Sequence, residues 1–195
     1  MDRGEKILFQ SGDLERTMSR MAHEILERNE KVEKLGLIGI RTRGAHLVRR
    51  IAQKIESFSG IAPPASIIDV TPYRDDLEGR GNTANPSPVE VPLSLDEKTI
   101  VLIDDVIYTG RTIRAALDLI THLGKPKRIF VAVLVDRGSR ELPIKADIVG
   151  KNVRVSGSER INVLLRESDG VDQVIVTKDQ RRAFRQPSNP RRETT

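Results

Sequence analysis

The sequence contains no cysteine and no tryptophan, and aromatic residues make up only 3% of its 195 residues. Without cysteine, the chain has neither a disulfide framework nor a thiolate metal site. Its two tyrosines and four phenylalanines provide few platforms for stacking single-stranded bases. We therefore expect any RNA partner to be held mainly through its shape and its phosphates.

Long apolar runs are also missing, so no segment is expected to cross a membrane. Residues 1–6 carry charges with no apolar stretch behind them, which is not the pattern of a secretion signal. With these features and the lack of cysteine, we expect a cytoplasmic protein without a membrane partner.

Charged residues make up 31% of the chain and hydrophobic residues 37%, with a formal net charge of +5. This balance and the length predict one α/β domain over residues 1–179, with a sizeable core and a small appendage. The positive excess permits an anionic partner. Residues 180–195 mix Arg, Pro, Ser and Asn with one aromatic, which predicts a disordered basic tail.

The stretch from 100 to 112 carries the most specific chemistry. Residues 100–103 are aliphatic and typical of a strand buried on both faces. Asp104 and Asp105 follow, and paired carboxylates at the carboxyl end of a strand suit the cis-diol of a ribose. Residues 108–112, Tyr-Thr-Gly-Arg-Thr, lead into a predicted helix, whose free N–H groups favour a phosphate. A diol site beside a phosphate site predicts a ribose 5-phosphate.

Other phosphate-binding patterns fit this stretch less well. The Walker pattern needs Gly-Lys-Ser/Thr after a longer glycine loop, and neither it nor the dinucleotide fingerprint Gly-x-Gly-x-x-Gly is present. A strand that ends in a solvated acidic turn is the plainest alternative. A receiver domain also places paired acids after a strand, but it does not follow them with Thr-Gly-Arg-Thr a hundred residues into the chain.

The rest of the chain alternates strands and helices, which predicts a parallel sheet. Ser11 is predicted to cap a helix that reaches about Asn29, and the turn-rich residues 74–88 are predicted to form a mobile lid. Residues 140–165 depart from the alternation and are predicted to form a small cap. Further strands are predicted at 35–40, 66–71, 129–135, 148–149, 161–165 and 171–176.

The run 100–112 closely resembles the phosphoribosyl pyrophosphate (PRPP) signature of the type I phosphoribosyltransferases. Four further motifs narrow the resemblance, at residues 39–44, 73–77, 135–144 and 146–152. Together they are similar to the bifunctional pyrimidine-operon attenuation regulators, which are also uracil phosphoribosyltransferases, over about residues 9–176. Ser139 departs from the pattern, which often has His at this position.

This resemblance implies the type I phosphoribosyltransferase fold, a parallel-sheet core flanked by helices with a small hood. The reaction that it implies joins uracil to PRPP and releases UMP and pyrophosphate. The implied cofactor is Mg²⁺, which travels with PRPP and has no site made by protein alone, although Asp104 and Asp105 are candidate ligands. UMP and UTP are implied ligands of the regulator.

The resemblance also assigns roles to individual residues. Asp104 and Asp105 are expected to hold the ribose hydroxyls, and Arg74 to reach the pyrophosphate when the lid closes. Arg137 and Ile161 are expected at the uracil pocket. Tyr108 is a poor base at an unperturbed pKa of about 10, so no dedicated side-chain base is expected. The expected PRPP contacts are Thr42, Arg43, Asp104, Asp105, Val106, Ile107, Tyr108, Thr109, Gly110, Arg111 and Thr112.

The second implied function is the binding of pyrimidine operon leader mRNA, promoted by UMP. The N-terminal helix and the cap supply polar and basic side chains, which would form a basic face if they lie together. A homo-oligomer, a dimer or larger, is also expected. Two other functions stay open: a regulator with little transferase activity, and a salvage transferase for another base. The expected RNA contacts are Ser19, Arg20, His23, Arg28, Lys145 and Lys151.

Overall fold

A computed structural model describes residues 5–29, 31–74 and 93–178. The predicted lid from residue 75 onward and the predicted tail lie outside these ranges. The strands are β1 (Lys6–Phe9), β2 (Leu35–Ile40), β3 (Ala65–Ile68), β4 (Thr99–Ile107), β5 (Arg128–Asp136), β6 (Ile148–Asn152), β7 (Glu159–Leu164) and β8 (Gln173–Lys178). The helices are α1 (Ser11–Glu27), α2 (Gly44–Ser59), α3 (Arg111–Leu123) and α4 (Arg166–Asp169), with 3₁₀ turns at Val32–Lys34 and Thr71–Tyr73.

The main sheet has five parallel strands in the order β3-β2-β4-β5-β6. The predicted parallel α/β architecture is therefore confirmed. Alternate residues of β4 enter different cores: Val101 packs with residues of α1 and α2, whereas Leu102 packs with residues of α3. Helices on both faces explain why the sheet strands are nearly continuous aliphatic runs. Among the described helices, none is both long and apolar enough to cross a membrane.

Helix α1 follows the predicted apolar stripe, and Leu14, Met18 and Ile25 are fully buried. Its start differs from the prediction by one residue. Ser11 is the first helical residue, and Gln10 stands at the N-cap position. The carboxylate of Asp13 accepts a hydrogen bond from the backbone N–H of Gln10 at 3.1 Å, so an acid in the first turn caps the N-terminus of the helix.

Strand β4 continues further than the sequence predicts. It runs to Ile107 and therefore contains Asp104 and Asp105, which we had placed after its end. Pairing with β5 continues on both sides of Asp105, since Asp104 lies opposite Val133 and Val106 lies opposite Val135. The neighbouring strand thus overrides the low strand preference of aspartate. Helix α3 begins at Arg111, slightly earlier than predicted.

Strand β3 is shorter than the predicted 66–71 and covers Ala65–Ile68. The side chain of Asp69 explains its early end, since one carboxylate oxygen accepts the backbone N–H of Thr71 at 2.9 Å. Such a local bond favours a turn over a strand. A 3₁₀ turn with Pro72 follows and leads to Arg74.

The second sheet joins the two ends of the described chain. It is antiparallel, with the order β1-β8-β7. We call β1, β7, α4 and β8 together the hood. The predicted cap at 140–165 is divided between the two sheets, because β6 forms the edge of the main sheet and β7 lies in the hood. Strand β1 was not foreseen, since Lys6–Phe9 is too short to show alternation.

Charged side chains fasten the hood to α2. Arg50 donates hydrogen bonds to Asp172 at 2.7 Å and to Glu167 at 2.5 Å, and Arg166 also donates to Asp172. Asp172 is only 6% exposed. Burial raises its pKa, but the hydrogen bonds from Arg50 and Arg166 outweigh that effect and bring the pKa of Asp172 down to about 2.

We predict that Asp172→Asn lowers the free energy of unfolding by about 2 kcal/mol near neutral pH. The native state favours the ionised carboxylate, so this contribution is complete above the unfolded pKa of about 4 and is lost as the pH falls toward 2. Urea titrations at pH 6 and pH 3 measure the difference between wild type and variant. The exposed Asp118→Asn is the control, and an Asp172→Asn difference that does not shrink at pH 3 contradicts the prediction.

Candidate functional site

The carboxyl ends of the parallel strands meet at one edge of the main sheet, where open α/β sheets bind ligands. Two adjacent acids of β4 lie there. Asp104 is 7% exposed and Asp105 is half-buried. The Oδ1 of Asp104 accepts the backbone N–H of Asp105 at 2.9 Å, and the Oδ1 of Asp105 accepts that of Val106 at 2.8 Å. One oxygen of each carboxylate is therefore engaged by backbone, and the pair is held in place.

Burial shapes the chemistry of this acid pair. Loss of solvent, and then the charge of Asp105, raise the pKa of Asp104 well above its usual value, while the nearby Arg74 acts in the opposite direction. Burial also raises the pKa of Asp105. Two neighbouring charges that have lost water gain from cations or hydroxyl donors. The pair suits a ribose diol or a hard divalent cation, and the structure brings Arg74 close to it.

The loop between β2 and α2 packs directly against this acid pair. A Cβ on Gly44 would lie 2.7 Å from the carbonyl oxygen of Ile103 and 3.6 Å from the Cα of Asp104. A Cβ on Gly39 would lie 2.3 Å from the carbonyl oxygen of Gly44. Both positions therefore need glycine for close backbone approach. The peptide bond between Arg41 and Thr42 in this loop is cis.

Arg43 of the same loop turns its side chain toward the hood. Its Nε donates to the carbonyl of Val163 at 2.9 Å, and its Nη2 donates to the carboxylate of Asp169 at 3.0 Å. Burial raises the pKa of Asp105, and the positive charge of Arg43 partly offsets that rise. The sequence predicts a contact of Arg43 with the ligand, whereas local spacing cannot show these two partners, because they lie more than a hundred residues away.

The segment from Val106 to Thr112, which connects the end of β4 to the start of α3, forms the second part of the site. Gly110 adopts a φ of +95° and stands directly before α3. This left-handed conformation favours glycine. The carbonyl of Thr109 accepts N–H groups from Glu141 and Leu142 at 3.0 Å each, and the Nε of Arg111 donates to Glu141 at 2.8 Å. The N-terminus of α3 therefore opens beside the acid pair, in a loop with fixed shape.

Arg140 is a site residue that the sequence analysis missed. Its guanidinium donates to the carboxylate of Asp136 at 2.7 Å and to the carbonyls of Tyr108 and Ile144 at 2.9 Å each. It also donates to the carbonyl of Gly138 at 3.2 Å. The four-residue spacing between Asp136 and Arg140 was the available signal. Arg140 thus ties the loop after β5 to the loop after β4.

Arg137 lies over the ring of Tyr108, with its Cζ 4.0 Å from the ring centroid. Its Nη2 donates to the carbonyl of Ser156 at 3.2 Å. Within the described ranges, its Nε is buried and has no hydrogen-bond partner. A buried donor without a partner is costly and marks a place for an acceptor. Ile161 is half-buried in β7, and its side chain packs against the core.

Four of the six predicted RNA contacts lie together, on or near α1 and β6. Arg20 donates to the carbonyls of Val149 and Gly150 at 3.0 and 2.6 Å, and Arg28 donates to that of Asp147 at 3.2 Å. Lys145 and Lys151 are exposed and lie within a few residues of these carbonyls in the sequence, and Glu24 of α1 pairs with Arg28 at 2.8 Å and with Arg20 at 3.6 Å. We call Arg20, Arg28, Lys145 and Lys151 the α1–β6 face.

Ser19 and His23 point toward α2 instead. The hydroxyl of Ser19 accepts a hydrogen bond from Lys54 at 3.0 Å, and His23 stacks on Phe58 with ring centroids 4.0 Å apart. Ser19 and His23 lie on the side of α1 next to the α1–β6 face. His23 lines the same cleft as Arg20 of that face.

A model of the phosphoribosyl transferase domain family matches residues 6–162. The solved hypoxanthine phosphoribosyltransferase of Trypanosoma cruzi superposes with a TM-score of 0.69, over 91% of this chain and 99% of its own, at 16% identity. That of Staphylococcus aureus gives a TM-score of 0.65, over 90% and 93%, at 18% identity. This likeness shows the fold, and the family match defines the protein as a phosphoribosyltransferase.

Relatives with higher identity narrow the family. Bifunctional protein PyrR of Chloroflexus aurantiacus is 51% identical over 174 residues, which are 89% of this chain and 96% of the relative. Bifunctional protein PyrR of Thermus thermophilus is 51% identical over 167 residues, which are 86% and 92%. This chain belongs to that family of bifunctional phosphoribosyltransferases and pyrimidine operon regulators. The family, fold class and enzyme class predicted from the motifs are therefore confirmed.

We predict that Arg140→Met raises the KM for PRPP roughly tenfold to a hundredfold, because misplacement of a binding loop by about 1 Å has effects of that size. Arg140→Lys keeps the charge without the planar set of donors and should restore little. Steady-state kinetics measure both, and the exposed Arg154→Met is the control. Unchanged KM in the two Arg140 variants argues against a positioning role.

Proposed function

We propose that this chain transfers the ribose 5-phosphate of PRPP to uracil, forming UMP and pyrophosphate, and that it binds pyrimidine operon leader mRNA in response to uridine nucleotides. The observation that carries the proposal is the buried acid pair of β4 beside the N-terminus of α3, in a chain half identical to bifunctional PyrR proteins. A diol site and a phosphate site lie next to each other, as a ribose 5-phosphate requires.

Asp104 and Asp105 hold the 2′ and 3′ hydroxyls of the ribose in this proposal. A backbone N–H holds one oxygen of each carboxylate, and the ribose hydroxyls bind the pair through the other oxygens. Mg²⁺ fits the same donor set, because buried carboxylates with raised pKa values gain from a cation that prefers oxygen ligands. Bound through these acids and PRPP, the ion would help to neutralise charge on the pyrophosphate.

The N-terminus of α3 binds the 5′-phosphate in this proposal. The first N–H groups of a helix have no partner within the helix, and the helix dipole favours an anion there. Val106, Ile107, Tyr108, Thr109, Gly110, Arg111 and Thr112 supply this loop and helix start. The left-handed Gly110 lets the chain turn sharply from the acid pair into the helix.

Pyrophosphate leaves toward the β2–α2 loop in this proposal. The backbone of this loop at Thr42 and Arg43 lies against the acid pair. The close approach of Gly44 to β4 supports this placement. Arg74 is the side-chain cation, since its charge already acts on Asp104. Asp169 holds the guanidinium of Arg43, so Arg43 contributes by fixing the orientation of the β2–α2 loop. Bond breaking makes the ribose positive and the pyrophosphate negative, so positioning and electrostatics provide the catalysis.

Uracil binds beside Arg137 in this proposal. The Nε of Arg137 is a buried donor that a uracil carbonyl oxygen satisfies, and Tyr108 and Ser156 hold its guanidinium in position. Ile161 provides backbone from the hood. Uracil requires no strong side-chain base at this place, because the ring N–H becomes acidic as the nitrogen bonds to the positively charged anomeric carbon, and its proton passes to water or to an oxygen of the leaving pyrophosphate.

The α1–β6 face binds RNA phosphates in this proposal, and Ser19 and His23 extend it along α1. Nucleotide and RNA sites are linked through one short path: the loop that starts at Asp136 holds the uracil side, and the carbonyl of Asp136 accepts the N–H of Val153 after β6. UMP that orders this loop favours one placement of β6. The coupling is reciprocal, so RNA also tightens UMP binding.

We also propose a cytoplasmic homo-oligomer. Large apolar side chains are exposed on the described surface, among them Phe58 at 43% and Ile61 at 38% near the end of α2. Self-association that covers them lowers the exposed apolar area. Sedimentation of the purified protein measures the subunit number, and a monomer at micromolar concentration contradicts this part of the proposal.

We predict that the double variant Asp104→Asn, Asp105→Asn loses UMP synthesis by at least a thousandfold, about 4 kcal/mol of transition-state stabilisation. Its unfolding midpoint should stay equal or rise at pH 7, because raised pKa values mean that the ionised acids destabilise the native state there. This gain should fade as the pH drops and the acids become protonated. A radiometric uracil assay and thermal unfolding test it, and near-normal turnover rejects the assignment.

We predict that Lys145→Gln with Lys151→Gln weakens leader RNA binding about tenfold and lowers the slope of log K against log salt by about two. Fewer counterions are then released on binding. Uracil transfer should persist, since both lysines lie outside the acid pair and its loops. Lys6→Gln with Lys178→Gln removes two exposed charges from the hood as a control. Equal loss in the control means that net charge, not this face, sets the affinity.

A further inference from the structure

A second basic cluster lies at the amino ends of the main strands, at the edge opposite the acid pair. Lys31, Lys34, Lys127 and Arg128 line an open cleft of about 380 Å³ together with Arg28. Glu97 is the one carboxylate among the described residues that line it. Five cations and one acid therefore line the cleft, Arg28 is also paired with Glu24 of α1 at 2.8 Å, and no step of the proposed reaction uses the five cations. We call these five cations the amino-end cluster.

The sheet fixes the spacing of this cluster. Leu35 of β2 pairs with Thr99 of β4, and Thr99 pairs with Arg128 of β5. Lys34 directly precedes Leu35, so Lys34 and Arg128 stand at the two ends of one row across three strands. Two strand spacings make this row roughly 10 Å long. A rigid row of that length presents cations to more than one phosphate of a polyanion.

Phe130 holds two of the cations in place. The Cζ atoms of Arg28 and Arg128 lie 5.9 and 5.5 Å from the centroid of its ring. Arg28 also donates to the carbonyl of Asp147 at 3.2 Å. Both guanidiniums therefore lose little freedom when they meet a phosphate, because contacts within the protein already restrict them.

Arg28 joins the amino-end cluster to the α1–β6 face. It lines this cleft and also the cleft that contains Arg20 and His23 on α1. The two surfaces therefore meet at Arg28, where Glu24 and Glu27 also line the cleft on α1 and Glu24 pairs with Arg28 at 2.8 Å. A polyanion that rests on the α1–β6 face and continues past Arg28 meets Lys31 and Lys34 next.

We propose that the amino-end cluster binds the phosphate backbone of the leader RNA beyond the part that rests on the α1–β6 face. The cleft is open and Phe130 is covered by two guanidiniums, so the chemistry suits the phosphates of a helical stem and not a stacked base. This inference rests on the proposed RNA-binding function. It assigns the cluster a sequence-independent part of the affinity and of its salt dependence.

The test compares two RNA hairpins that share the same loop, one with a short stem and one with a stem extended by about one helical turn. Titrations at several salt concentrations use wild type, the triple variant Lys31→Gln, Lys34→Gln, Lys127→Gln, and the matched control Lys6→Gln, Arg49→Gln, Lys178→Gln. All six residues are exposed. Thermal unfolding and uracil transfer confirm that both variants fold.

We expect wild type to bind the long hairpin at least tenfold more tightly than the short one. The triple variant should lose this advantage and flatten the salt slope for the long hairpin by two to three, while the control keeps it. If wild type binds both hairpins equally, or if the triple variant behaves as the control does, the inference is overturned and RNA binding by the α1–β6 face stands. If wild type binds neither hairpin, the proposed RNA function fails too.

Discussion

Two adjacent carboxylates buried at the end of a central strand are the constraint on which the rest of the site depends. Sheet pairing holds Asp104 and Asp105 in β4, where loss of water raises both pKa values. Three neighbouring groups stabilise this negative charge. The backbone of β4 donates hydrogen bonds to both carboxylates, and the positive charge of Arg74 lowers the pKa of Asp104. The start of α3 directs N–H groups to the same edge. In the proposed function, this edge receives a ligand that carries hydroxyls between two anionic groups.

The hood turns this edge into a defined site. Arg50 and Asp172 fasten it to α2, and Asp169 and Val163 then hold the guanidinium of Arg43. The hood therefore determines how the β2–α2 loop presents its backbone to a ligand. On the other side, Arg140 ties the loop after β4 to the loop after β5 through the carbonyls of Tyr108 and Gly138. In the proposed function these loops bind the 5′-phosphate and the base, so binding of the two parts of the substrate would depend on the same contacts.

Much of the core was predictable, because buried strands and amphipathic helices leave strong patterns. The aliphatic run at 100–103 and the stripe of α1 are examples. What failed depends on contacts between distant residues. Asp104 and Asp105 belong to β4 because β5 pairs with Asp104 and with Val106 beyond Asp105, and β1 exists because β8 lies beside it. The acid pair itself was found from sequence, whereas the partners of Arg43 and Arg140 were not, since local spacing does not show side-chain direction.

Strand order in the hood has a consequence for synthesis on the ribosome. Strand β8 lies between β1 and β7, so within the described residues the first strand pairs with the last. A nascent chain that has already completed the parallel sheet still lacks β8 and the buried Asp172. Its residues Lys6–Phe9 then have no strand to pair with. The hood can close only after residue 178 has left the exit tunnel, so it forms later than the parallel sheet.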